Sequence, residues 1–204
     1  MKMSLPNRTV FLSAALALLT AAPLLAQDAP RAMTIIDLVE FPSVGDPQLS
    51  PDGDEVVFVR SRADWEGNRT LRHIWRSDAD GGEELQLTRG EDGESSPRWS
   101  PDGRFIAFLA DRSEENPTQI HLLRTVGGEA EPLTEHPTSV SSIQWSPDGS
   151  ALYFVAADEK SEEEKRKERL EDDVFAYDED YQQRHLWRVA VPSGETRRIP
   201  SGVW

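Results

Sequence analysis

The tetrapeptide Ser-Pro-Asp-Gly occurs three times in this 204-residue chain, at residues 50–53, 100–103 and 146–149. Spacings of 50 and 46 residues belong to propeller blades or solenoid units, so the flanking residues decide between the two. A short approach precedes each copy: Pro47, Gln48 and Leu49; Pro97, Arg98 and Trp99; Ile143, Gln144 and Trp145. Each reads as an innermost strand that ends in a tight turn. Proline presets φ for the first corner, aspartate bonds nearby amides through its side chain, and glycine takes the left-handed conformation that completes the reversal. A β-rich run follows each turn, at 56–59, 105–109 and 152–155, apolar on both faces as a strand between neighbouring sheets must be.

A third strand is read at 73–76, 119–122 and 185–188, with Ile74, Ile120 and Leu186 in the same register and one buried face implied. Glycine-bearing reversals at Gly81 and Gly82, Gly127 and Gly128, and Gly194 then lead to outer strands at 85–88, 131–134 and 197–199. Pro132 and the charged residues there suit a sheet edge that must not recruit another chain. The expected fold is all-β: a partial β-propeller of about three four-stranded blades over 47–90, 97–135 and 143–200, behind a lead-in segment at 27–46. Closed propellers need four to eight blades, so three imply a fragment, or a chain completed by assembly with another.

One interruption falls in the third copy. Residues 158–173 are dominated by Glu, Lys and Arg without Gly or Pro, and the whole insertion spans about 158–183. Glu162 with Arg166 and Glu163 with Lys167 stand at i,i+4 spacing in the acid-first order that supports a helix, so the segment is expected as a solvated helix or a disordered loop. Val174, Phe175, Tyr177 and Tyr181 follow among acids, giving the insertion a surface that reaches the propeller rim or a partner.

At the other end, Lys2 and Arg8 precede the apolar stretch 10–19, followed by Ala22, Pro23 and Ala26. This is a signal-peptide pattern over 1–26 with cleavage after Ala26, or after Ala22, and it is too short to span a bilayer. Periplasmic or secreted localisation is therefore expected, with no membrane span after cleavage. The chain carries 22 Lys and Arg against 37 Asp and Glu, a net charge of -15, which excludes a phosphate-backbone binder. Loss of the leader removes two positive charges and leaves -17. With no cysteine, disulfides, thiolate metal sites and a cysteine nucleophile are excluded together.

The segment Thr34, Ile35, Ile36, Asp37 and Leu38, followed by Asp46 to Gly53 of the first turn, is similar to the opening of the amino-terminal propeller of the prolyl oligopeptidase family of serine peptidases, in particular its dipeptidyl aminopeptidase and acylaminoacyl peptidase branch. Gln183, Arg184, His185, Leu186 and Trp187, coming after an acidic and aromatic insertion, resemble that branch as well, and the likeness covers residues 33–199. The same turn also appears in Tol-type envelope propellers. Those place a separate α/β domain ahead of the blades, whereas here the first turn comes 24 residues after the cleavage point. The resemblance implies a non-catalytic propeller that restricts peptide access to a carboxyl-terminal α/β-hydrolase domain. The Gly-x-Ser-x-Gly elbow of that domain does not occur in this sequence. The alternative is a stand-alone periplasmic binding or scaffolding module.

No catalytic, cofactor-binding or metal-binding residue is assigned, and no cofactor is expected. His73 and His185 share one repeat position, and His121 stands where Trp75 and Trp187 stand, so repetition accounts for them structurally; His136 falls in an inter-blade loop. Asp52, Asp102 and Asp148 recur with the turns as caps on backbone amides rather than as calcium ligands. The acidic and aromatic stretch 172–181 is the better candidate for contacting a peptide, and Asn68, Arg69 and Thr70 fit a glycosylation acceptor. The partners expected are a peptide substrate through a catalytic domain, or a protein.

Overall fold

The computed structural model describes residues 31–111, 117–162, 166 and 183–200. The leader, most of the charged insertion and the stretch 172–181, with Val174, Phe175, Tyr177 and Tyr181, lie outside the described residues. The chain divides into two compact units, Met1–Thr34 and Ile35–Trp204, and all the sheets belong to the second.

That unit opens with a short helix, α1 (Ile35–Glu40), which buries none of its residues. Three four-stranded antiparallel sheets follow. The first is β1 (Ser43–Leu49), β2 (Glu55–Asp64), β3 (Arg69–Asp78) and β4 (Glu84–Gln86). The second is β5 (Glu94–Trp99), β6 (Phe105–Ala110), β7 (Gln119–Arg124) and β8 (Glu131–Pro132). The third is β9 (Val140–Trp145), β10 (Ala151–Ala157), β11 (Arg184–Ala190) and β12 (Thr196–Arg198). Strands pair in chain order within each sheet, as a run of hairpins must. β1 begins at Ser43, inside the stretch read as lead-in.

Strand β1 packs against β5, and β5 against β9, while β4, β8 and β12 do not touch one another. The sheets therefore converge at their first strands and diverge at their last. This is the radial order of a propeller, and among the described residues the ring is not closed.

The core lies between sheets. Val57 and Ile74 meet Ile106, Phe108 and Leu123 at the first junction. Ala107, Leu109 and Ile120 meet Leu152, Phe154 and Val189 at the second. Burying side chains of this size contributes roughly 1.5–3 kcal/mol each. Ile74, Ile120 and Leu186 do share a register, but their burial differs: the first two are fully buried, whereas Leu186 is 46% exposed. No further sheet covers the third one among the described residues.

Candidate functional site

Each Ser-Pro-Asp-Gly corner is closed by the same bonds. In the second sheet Gly103 N donates to Ser100 O at 2.9 Å, and Ser100 N donates to Phe105 O at 2.8 Å. The Ser100 hydroxyl donates to Asp102 Oδ1 at 2.6 Å while accepting from Phe105 N at 2.9 Å. Asp102 Oδ1 also accepts from Arg104 N at 3.1 Å. Ser50 with Asp52, and Ser146 with Asp148, repeat the pattern. The bond from the serine hydroxyl, then that from the backbone amide two residues on, lowers the Asp102 and Asp148 carboxyls to about 2 and lowers Asp52 from its ordinary value. The aspartates thus cap amides, as the sequence implies. The serines, 1–6% exposed, are an equal partner that sequence reasoning missed.

The inner strands share a second device. Gly45 pairs with Val59 and Gln48 with Val57, so Asp46 and Pro47 together oppose Phe58. Likewise Ser96 and Pro97 oppose Phe108, and Ser142 and Ile143 oppose Phe154. The first residue of each bulge is left-handed, with φ of 48° at Asp46, 55° at Ser96 and 53° at Ser142. Side chains with a Cβ disfavour that conformation, and bulges mark places where a strand is re-aimed. Here they lie along the converging edge of the sheets.

That edge is tied together from sheet to sheet. Trp99 Nε1 donates to Gln48 O at 3.2 Å, and Trp145 Nε1 donates to Arg98 O at 3.1 Å. The tryptophan just before one turn thus reaches the carbonyl two places before the preceding turn. Arg98 Nη1 adds bonds to both Asp46 carboxylate oxygens, at 3.0 and 2.9 Å.

Behind the inner strands lie two buried polar networks of one design. Thr88 Oγ1 accepts from Ile74 N at 2.9 Å and donates to Glu94 Oε2 at 2.7 Å, while Glu94 Oε1 accepts from Gly90 N at 2.7 Å. In the next sheet Thr134 Oγ1 accepts from Ile120 N and donates to Gln119 Oε1, which also accepts from His136 N at 2.8 Å. A carboxylate from the following sheet and an amide from the same sheet do the same work. His73 Nδ1 lies 3.0 Å from Glu94 Oε2. Because the pair is buried, and Thr88 is committed to the backbone, the arrangement is structural.

His121 stacks on Phe108, and His185 lies 3.1 Å from Asp158. His136 does sit between blades, but it is buried, edge-on to Trp187 at 4.7 Å and to Phe154 at 5.7 Å. Trp187 Nε1 is buried without a hydrogen-bond partner. Among the described residues no three His, Asp or Glu side chains are grouped to hold a metal ion. A cleft of about 620 Å³ between the first and second sheets is lined by Arg89, Glu91, Asp92, Asp111 and Glu129. One of about 500 Å³ at the second junction is lined by Pro137, Thr138, Lys160 and Arg184. At the second cleft the Thr138 hydroxyl lies 3.1 Å from His136 Nδ1, but it donates to Ala157 O at 2.7 Å and so braces the junction.

Residues 33–174 match the family described as TolB beta propeller domain. The protein named "Uncharacterized peptidase YuxL" of Bacillus subtilis is 36% identical over 97 residues, which is 48% of this chain and 15% of that protein. The acylaminoacyl peptidase of Pyrococcus horikoshii superposes with a TM-score of 0.61 at 22% identity, over 82% of this chain and 27% of that one. A putative TolB from Agrobacterium tumefaciens gives 0.52 at 27% identity, over 74% and 46%. The resemblance to peptidase propellers read from the opening segment is thus met by named peptidases among the relatives, of which this chain spans a small part. With the family match running from ahead of α1 through the first two sheets and into the third, the chain belongs to the TolB-type β-propeller domain family.

Proposed function

We propose that this chain is the non-catalytic propeller portion of an exported serine peptidase, and that it restricts peptide access to an α/β-hydrolase domain carried elsewhere in the parent polypeptide. The observation that carries this reading is the 36% identity to a named peptidase of which the chain covers only 15%. The chemistry agrees with it. The buried serines of the turns and the Thr88–Glu94 and Thr134–Gln119 networks brace turns and junctions, and the converging bulged edge reads as a lining. The leader pattern over 1–26 supports periplasmic or secreted placement. No helix among the described residues is long and apolar enough to cross a membrane.

The test is the coding sequence beyond Trp204, followed by assay of the complete polypeptide with aminoacyl and dipeptidyl chromogenic substrates. A Gly-x-Ser-x-Gly region whose serine is required for cleavage is expected; its absence in every frame sinks the peptidase reading. The second reading, a stand-alone envelope module that binds proteins, is favoured by the 27% identity to the putative TolB. A stable, symmetric oligomer of the mature chain in solution distinguishes it.

A further inference from the structure

The rims of the two junctions are built differently. At the second, Phe105 and Leu122 of one sheet and Trp187 and Val191 of the next pack against the buried core, so the outer strands meet across apolar side chains. The strand registers put Glu55, Arg76, His121 and Thr125 at the matching positions of the first junction, and none of these is apolar. Each is drawn to a partner of its own. Arg76 Nη1 lies 3.2 Å from Glu55 Oε1, His121 stacks on the Phe108 ring at 5.7 Å, and Thr125 Oγ1 donates to Arg104 O at 3.3 Å. The space that four apolar side chains fill at the second rim is left open at the first.

The cleft of about 620 Å³ at the first junction accordingly runs on into a hollow of about 250 Å³, the two sharing Leu87, Leu123 and Gly128 as walls. A cleft of that size falls in the range of roughly 300–1,000 Å³ that small ligands occupy. Its floor is apolar, with Ile106 under the hollow and Ala130 under the cleft, while Leu85 and Val126, both exposed, flank the hollow. Arg124 also borders the hollow, but its guanidinium lies 5.5 Å from the Phe105 ring, at the second junction. The unbalanced charge is in the cleft. Asp92 is paired with Arg69 at 2.7 Å, which leaves Glu91, Asp111 and Glu129 against Arg89. Two net negative charges thus stand beside an apolar trough.

We infer that this groove is a docking surface for an extended peptide segment in which an apolar residue stands next to a lysine or arginine. The apolar side chain enters the hollow between Leu85, Leu87, Leu123 and Val126. The aliphatic stem of the cation lies along the floor of the cleft, and its head reaches the carboxylates at the rim. An acidic residue in that place meets like charge, so the sign of the neighbour selects the segment. Because the groove opens among the outer strands, away from the converging edge, the inference does not depend on peptides passing along that edge to a hydrolase domain.

The test uses the full chain, isotope-labelled, and an acetylated, amidated Gly-Leu-Lys-Gly peptide, with counterparts carrying norleucine or glutamate in place of lysine. The amide resonances of Leu87, Leu123, Gly128 and Ala130 are expected to shift and saturate with the lysine peptide. The glutamate peptide is expected to bind at least about tenfold more weakly, with norleucine between the two. Glu129→Gln together with Asp111→Asn is expected to bring the three peptides within about twofold of one another. Arg76→Leu with Thr125→Val gives the first rim two residues of the second rim's kind and is expected to weaken all three alike. Should that pair unfold the chain, Ala130→Leu narrows the cleft without breaking an ion pair. No shift at about 10 mM peptide, where a millimolar site is about nine-tenths filled, overturns the inference. So does a lysine peptide that binds no more tightly than the norleucine one, or a set of shifts confined to residues outside the groove. No step of the measurement involves cleavage, so its failure and that of the chromogenic assay are separate.

Discussion

Ser100 shows how much a side chain of two heavy atoms can do at a corner. Ser100 is 1% exposed and its hydroxyl bonds Asp102 and Phe105 at once, so Ser100→Ala strands the Phe105 amide and leaves Asp102 Oδ1 with only the Arg104 amide of this pair of donors. A loss of about 1–2 kcal/mol is expected, read as a lower urea midpoint at unchanged slope. The same corners set an acid limit. The Asp102 and Asp148 carboxyls are held at about 2 against 3.8, so the folded state binds their protons less readily than the unfolded chain. Their contribution is complete above pH 4 and fades as the pH falls towards 2, which thermal melts across that window check. Inside, Glu94→Ala removes the acceptor of Thr88 and Gly90 together and is expected to cost about 2–3 kcal/mol by chemical denaturation. Proline, aspartate and glycine at the corner were legible because they act on their own backbone. Ser100 and Glu94 were not, because their partners become neighbours only after the chain has reversed.

At the scale of a strand, the bulge explains why the inner edge read poorly as a sequence. Strict alternation fails across it: Val140, Ile143 and Trp145 are all buried, at spacings of three and then two. Only the short apolar approach to each turn was visible, whereas β2, β6 and β10 announced themselves as continuous apolar runs. Ser142 is exposed at a φ of 53°, so its substitutions separate conformation from packing. Ser142→Val is expected to lose about 1–2 kcal/mol, and Ser142→Gly to lose none, by the shift in urea midpoint. The register of the third strands was legible as well, but the exposure of Leu186 was not. Burial there depends on a neighbouring sheet rather than on the residue.

For the array as a whole, stability is the sum of what each sheet supplies and what each junction adds. The junctions carry the apolar cores, the Arg98–Asp46 pair and the indole tethers, so weakening one should loosen the array at that place. Trp99→Phe and Trp145→Phe are each expected to lower stability by about 1 kcal/mol, seen as earlier thermal unfolding, with faster amide exchange at the affected junction first. The repeat made the sheet count legible, but the tethers remained hidden because a carbonyl leaves no mark in a sequence. They have a practical use. Each junction holds one indole in a fixed bond to the sheet before it, whereas Trp65 stands 61% in solvent. Comparing the emission of the two single replacements therefore gives a separate optical gauge for each seam, one that shows which parts first when the molecule is heated or pulled.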